Sequence, residues 1–105
     1  METHLNHPGI ILKEEFLQDY GLSVSTAAAA MGLPRQRLNE IVNGKRDITA
    51  ETALFLGTFF GNAPEFWLNL QSHYNLALAQ TKEKKRLAHV KSVASLLPID
   101  KSDHA

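Results

Sequence analysis

The sequence predicts an all-α fold: one domain, built as a bundle of five or six short helices. Three observations predict it. Nowhere in the 105 residues do apolar and polar side chains alternate over the length of a strand. Apolar residues instead recur three and four apart, in segments punctuated by Gly and Pro. Finally, Val24 to Ile41, VSTAAAAMGLPRQRLNEI, has the pattern of a helix-turn-helix, two short helices joined by a Gly-centred turn.

His7-Pro8-Gly9 breaks the chain, and Pro8 suits a helix start. The first helix is expected from about Ile10 to Asp19, with Ile11, Leu12, Phe16 and Leu17 inward and Gly21 as its stop. Ser23 is a good cap for the second helix, Val24 to Met31, whose four consecutive alanines favour helix. Ala28 is small where two helices cross. Gly32 follows the last apolar residue, where positive φ is often required. Leu33 plugs the turn. Pro34 fits the first turn of the third helix, which runs to about Val42 and ends at Asn43-Gly44. Its inward face is Leu38 and Ile41.

Thr49 caps a fourth helix, Ala50 to about Phe60, with Glu51 well placed for the dipole and Gly61 as terminator. Asn62 and Glu65 have capping-box spacing for a fifth helix, with Pro64 in its first turn and Phe66, Trp67, Leu70 and Tyr74 on one face. From Ala77 the pattern weakens. Leu87, Val90, Ala94 and Leu97 then recur at helical spacing, so a sixth helix is expected up to Pro98, with a frayed end beyond. Residues 1–76 are thus expected to form the bundle core, and 77–105 a C-terminal helix and tail.

Composition narrows the function. Hydrophobic residues are 44% and charged ones 21%, ordinary for a globular domain. There is no cysteine, hence no disulfide or thiolate metal site. The N-terminus METHLNHPG is polar, so no signal peptide is expected and the expected location is the cytoplasm. No HExxH or i, i+4 His pair accompanies His4, His7 and His73, so no metal is expected. Glu14 and Glu15 are adjacent and point to different helix faces, which does not suit acid–base work. With no phosphate loop and no nucleophile elbow, the chain does not read as an enzyme, and no cofactor is expected.

Net charge is zero, yet it is unevenly spread. Residues 35–46 carry Arg35, Arg37, Lys45 and Arg46 against Glu40, and residues 77–105 carry six bases against three acids. Residues 1–34 and 47–76 are both net acidic. The field near phosphates follows the local charge, so this distribution admits nucleic acid. The second helix of a helix-turn-helix reads base edges through its N-terminal residues. Arg35 and Gln36 occupy that end, with Asn39 one turn on. Arg pairs with guanine O6 and N7, and Gln or Asn with adenine N6 and N7. Arg37 is a lesser candidate, and Glu40 either accepts from cytosine N4 or balances a nearby Arg. Ser23, Asn43, Lys45 and Arg46 are the expected phosphate contacts.

HPGIILKEEF (7–16), LSVSTAAAAMGLP (22–34), RLNEIVNGKRDITAETAL (37–54) and FFGNAPEFWLNLQSHYNL (59–76) together resemble HigA-type antitoxins, members of the lambda-repressor-like helix-turn-helix class. The resemblance implies a homodimeric autorepressor that also neutralises a small RelE-like (HigB-type) mRNA-cleaving toxin. It places base reading on Arg35, Gln36 and Asn39, with Arg37 secondary, and phosphate contacts on Ser23, Asn43, Lys45 and Arg46. Three positions depart from the pattern. Val24 stands where relatives often have Gln, Pro34 replaces a frequent Ser or Thr cap, and Phe55 stands where a polar residue is usual. The alternative is a stand-alone transcriptional regulator with no toxin; a third reading is a bundle that binds protein or metal without DNA. A dimer would present two helices to half-sites about 34 Å apart. Its candidate surfaces are Phe55, Phe66, Trp67 and Leu70, although Trp67 suits the core of a small bundle better, or Leu87 and Val90, which alternatively pack back on their own domain.

Overall fold

In the computed structural model, which describes residues 6–98, every regular element is helical. His4 and the expected frayed end from Ile99 lie outside the described residues. No described helix is long and apolar enough to cross a membrane.

The first helix, α1, begins at Pro8, two residues earlier than expected. The cause is His7, whose Nδ1 accepts from the Gly9 amide at 2.9 Å and so caps the helix. After Pro8–Ile11 the same helix widens into a π-helical stretch, Leu12–Leu17, marked by the Gln18 amide donating to the Lys13 carbonyl. The wider turn brings Leu12 and Leu17, five apart, onto the same buried side. Ile11 and Phe16, expected inside with them, are only half-buried.

Next come α2 (Val24–Met31), α3 (Arg35–Val42) and α4 (Ala50–Phe60), with the capping residues Ser23 and Thr49 in their expected roles. Pro34 is the residue before α3 rather than part of its first turn. The fifth helix, α5 (Pro64–Lys82), begins after Ala63, and the expected capping box does not form. Asn62 Oδ1 instead accepts from Trp67 Nε1 at 3.0 Å, satisfying the indole of a fully buried ring.

Trp67, Leu12, Leu38, Ile41 and Leu56 fill the core. Phe16 meets Trp67 and Phe60 at centroid distances of 4.8 and 4.9 Å, forming an aromatic cluster behind α1. Two glycines let backbones meet. A Cβ on Gly9 would overlap the Ile41 carbonyl oxygen, so α1 rests directly on the last turn of α3. A Cβ on Gly57 would lie 2.6 Å from the Asn62 carbonyl oxygen, where the α4–α5 turn folds back. Buried Gln71 accepts the Ile48 amide at 2.7 Å and thereby ties the loop before α4 to α5.

Beyond Tyr74 the chain leaves the bundle. α5 continues well past the expected weakening at Ala77, and two short helices follow, α6 (Lys84–Leu87) and α7 (Val93–Leu96). The continuous sixth helix expected over Leu87–Leu97 does not exist. Ser92 caps a new helix by accepting from the Ser95 amide, and this local bond competes with continuation. Leu87, Val90, Val93, Leu96 and Leu97 are all exposed, so the stripe does not pack back on its own domain. The protein is 61 Å long and 28 Å by 25 Å across, with a radius of gyration of 19.3 Å. A globular chain of about this length has about 13 Å.

Candidate nucleic-acid interface

The helix pair is set by its turn. Gly32 adopts φ of 74°, and the Leu33 amide reaches back to the Ala28 carbonyl at 3.0 Å, closing the end of α2. Ala28 and Leu33 are buried against Leu38 and Ile41 in one core cluster. Val24, at the position that departs from the resemblance, is half-buried against that cluster. With Leu38, Ile41 and Val42 inward, the opposite side of α3 presents Gln36, Asn39, Glu40 and Asn43.

Arg35 and Arg37 flank this ridge on either side. Arg35 is exposed and leans to α2, its Nε donating to Ser25 Oγ at 2.7 Å. Arg37 leans to α4, with Nη1 3.6 Å from Glu51 Oε1, and its side chain keeps 28% of its exposure. Arg37 therefore does not stand with Arg35, Gln36 and Asn39. It lies in the crease between α3 and α4.

Glu40 is the hub of the ridge. Arg46 Nε donates to it at 2.8 Å and Gln36 Nε2 at 3.2 Å. These two bonds, with the nearby charges of Arg46 and Lys45, hold its carboxyl below the usual carboxylate range. Of the two roles open to Glu40, the structure realises the balancing one.

Asn43 Nδ2 donates to the Asn39 carbonyl at 2.9 Å, and Gly44 turns the chain with φ of 74°. Lys45 and Arg46 follow in an exposed loop. That loop is braced from behind by buried His7. Since Nδ1 accepts from Gly9, the ring proton is on Nε2, which donates to Asp47 Oδ1 at 3.2 Å. The ring also meets Tyr74 edge-on at 5.2 Å. On the α2 side, Ser23 is exposed, accepting from the Thr26 amide and donating to Thr26 Oγ1. One exposed face thus carries two arginines, a lysine, amides and hydroxyls at helix ends, which suits a polyanion and hydrogen-bonding base edges.

Two contributors were not singled out from sequence. Ser25 holds Arg35, and His7, whose sequence context shows only a breaker and an unpaired histidine, braces the loop. The signal for Ser25 is a pair of hydroxyl residues, Ser25 and Thr26, just after the cap and ahead of the four alanines. For His7 there was none, since its partner lies forty residues away.

The candidate interface residues fall apart in space. Trp67 is fully buried in the monomer, its indole bonded to Asn62, so it is core, as its preferred reading had it, and offers no surface to a partner. Phe66 is 39% exposed and Leu70 half-buried. Phe55 lines an open groove of about 500 Å³ with Ala30, Met31, Leu54, Thr58 and Phe59. Leu87 and Val90 stand out on the arm. No cluster of His, Asp and Glu able to hold a metal occurs among the described residues.

Known proteins share this arrangement. The helix-turn-helix family HTH_3 matches residues 13–67, from α1 into α5. Antitoxin HigA-1 of Vibrio cholerae is 36% identical over 83 residues, covering 79% of this chain and 78% of that protein. The chain belongs to the HigA-type members of the helix-turn-helix family. Virulence-associated protein I of Dichelobacter nodosus, similar to this HigA-type chain, is 47% identical over 74 residues, or 70% and 68% of the two chains. Among solved structures, the Pseudomonas aeruginosa antitoxin HigA with the higBA promoter superposes with a TM-score of 0.82 and 35% identity. That match covers 86% of this chain and 99% of the other.

Proposed function

We propose that this HigA-type protein is a sequence-specific DNA-binding antitoxin, one that represses its own operon and neutralises a small RelE-like ribonuclease. The observation that carries the reading is the α3 ridge. Gln36 and Asn39 face outward with Arg35 at the rim, while the charged loop at Lys45 and Arg46 lies at one end and the α2 cap at the other. Arg35, Gln36 and Asn39 read base edges, with Arg37 confined to an edge contact. Ser23, Asn43, Lys45 and Arg46 hold phosphates. Residues 1–76 are the reading unit, and 77–105 an appendage. Two copies meet successive half-sites. Support comes from the relatives: one is named an antitoxin, and another was solved with the higBA promoter.

The test is fluorescence anisotropy on DNA from upstream of the protein's own gene, with an unrelated duplex as control. Arg35→Ala and Gln36→Ala are each expected to cost about 1–3 kcal/mol on the operator and to relax specificity. Lys45→Ala is expected to weaken all duplexes alike and to flatten the salt slope by about one unit. Unchanged affinity in the first two variants would overturn the DNA reading. Co-expression with a neighbouring ribonuclease tests the other half. Failure to relieve toxicity there, with operator binding intact, leaves a stand-alone regulator.

A further inference from the structure

His7 does more than a helix cap requires. Its ring is buried, yet both nitrogens are in use. Nδ1 takes the Gly9 amide at the start of α1, while Nε2 reaches Asp47, forty residues on. Capping needs only the first bond, which a Ser or Asn side chain makes at many helix starts. The second bond serves the loop after α3.

The middle of that loop has little else to fix it. At one end the Gly44 and Lys45 amides donate to the Ile41 and Glu40 carbonyls at 3.0 and 2.8 Å. At the other end the Ile48 amide donates to Gln71 at 2.7 Å. Between these ties, no acceptor among the described residues serves the amides of Arg46 and Asp47. Two side-chain bonds remain, Arg46 to Glu40 and Asp47 to His7. The first is given up when Arg46 turns to a phosphate. The second can stay, because the ring is walled in by Tyr74, by the Gly44 turn and by the start of α1.

Asp47 also carries the wrong sign for its place. Its side chain is 61% exposed, next in sequence to the two bases read as phosphate contacts. A loose carboxylate there would pair with Lys45 or repel the duplex. The His7 bond ties one of its oxygens to the buried ring.

We propose that His7 is the positioning residue of the phosphate grip. Through Asp47 it holds the loop so that Lys45 and Arg46 meet the duplex backbone, and it thereby sets affinity for DNA of any sequence. This role depends on the DNA reading above and gives His7 no base contact.

The two nitrogens can be tested apart. An Asn side chain places its amide where Nδ1 lies, and a Gln side chain places its amide where Nε2 lies. His7→Asn therefore keeps an acceptor for the cap and loses the reach to Asp47. His7→Gln keeps a donor for Asp47 and loses the cap. The experiment is fluorescence anisotropy of the full chain on operator DNA and on an unrelated duplex, over a range of salt, with urea denaturation alongside. His7→Asn is expected to weaken both duplexes alike, on the order of tenfold, and to flatten the salt slope by about one unit, as Lys45→Ala does. His7→Gln is expected to unfold at lower urea and yet to grip both duplexes as wild type does. In an Asp47→Ala background, His7→Asn is expected to cost less than about twofold, because no bond is left to lose. Wild-type affinity and slope in His7→Asn would overturn the proposal. So would a grip in His7→Gln as weak as in His7→Asn, or an undiminished cost of His7→Asn without Asp47. If Lys45→Ala flattens the slope and His7→Asn does not, the role of His7 fails alone and the DNA reading stands. A wild type that binds no duplex overturns both.

Discussion

The bundle and the arm are made from the same kinds of residue and end in opposite states. In the bundle, each helix turns its apolar side chains onto another helix, and the polar groups drawn inside are paired. Trp67 is bonded to Asn62, Gln71 to Ile48, and His7 to Gly9 and Asp47. No buried side-chain nitrogen or oxygen among the described residues lacks a partner. The arm has as good a helix-forming composition but no second layer, and its Leu and Val side chains remain in solvent. Helical propensity therefore does not separate the two regions. Packing does, because a turn of helix is stabilised chiefly by what its apolar face meets.

That contrast is sharpest at Trp67. Trp67→Ala is expected to lower stability by about 3–5 kcal/mol in urea denaturation, since it empties the centre of the aromatic cluster and strands Asn62. Gly9→Ala ranks next, at about 1–3 kcal/mol, because the added methyl must push α1 off the end of α3. Its second readout is operator affinity, which is expected to fall with the displaced ridge. At the other extreme, Val93→Ser is expected to change stability by less than about 0.5 kcal/mol under conditions where the protein is monomeric. A loss comparable to that of Gly9→Ala would break the comparison by showing that the arm packs on its own bundle.

The smallest effect concerns Glu40. Its carboxyl is held low, so the pairing with Arg46 and Gln36 persists above the usual carboxylate range and is lost only as pH falls through the depressed value. An NMR titration is expected to place its midpoint below the ordinary glutamate value. Arg46→Ala is expected to move it back up, and an unmoved midpoint would remove Arg46 as the cause.

Much of the bundle was legible because its signals are local. Ser23, Gly32, Thr49 and Gly61 act within a turn of where they stand, and the spacing of Leu38 and Ile41 shows which side of α3 is inward. Signals that depend on distant partners were not legible. Nothing local says that His7 caps α1 and braces a loop forty residues on, or that Leu12 and Leu17 share a side through a π-helical turn. Asn62 was read as a cap because Glu65 lies three residues later, but the buried indole of Trp67 was the stronger claimant. In the candidate site, the type and exposure of Arg35, Gln36 and Asn39 followed from periodicity. The lean of Arg37 toward Glu51, and of Arg35 toward Ser25, depends on where α2 and α4 lie beside α3.

Those leaning side chains carry a consequence for discrimination. Arg35 is already engaged by Ser25, and Gln36 by Glu40, before any duplex arrives. Under the proposed reading, a matching operator must outbid these incumbent partners, and a random sequence leaves them in possession. The protein would then glide over foreign DNA with its probes folded away. Its selectivity would be the difference between two competitors for the same donor, so loosening Ser25 or Glu40 would make binding greedier and less choosy.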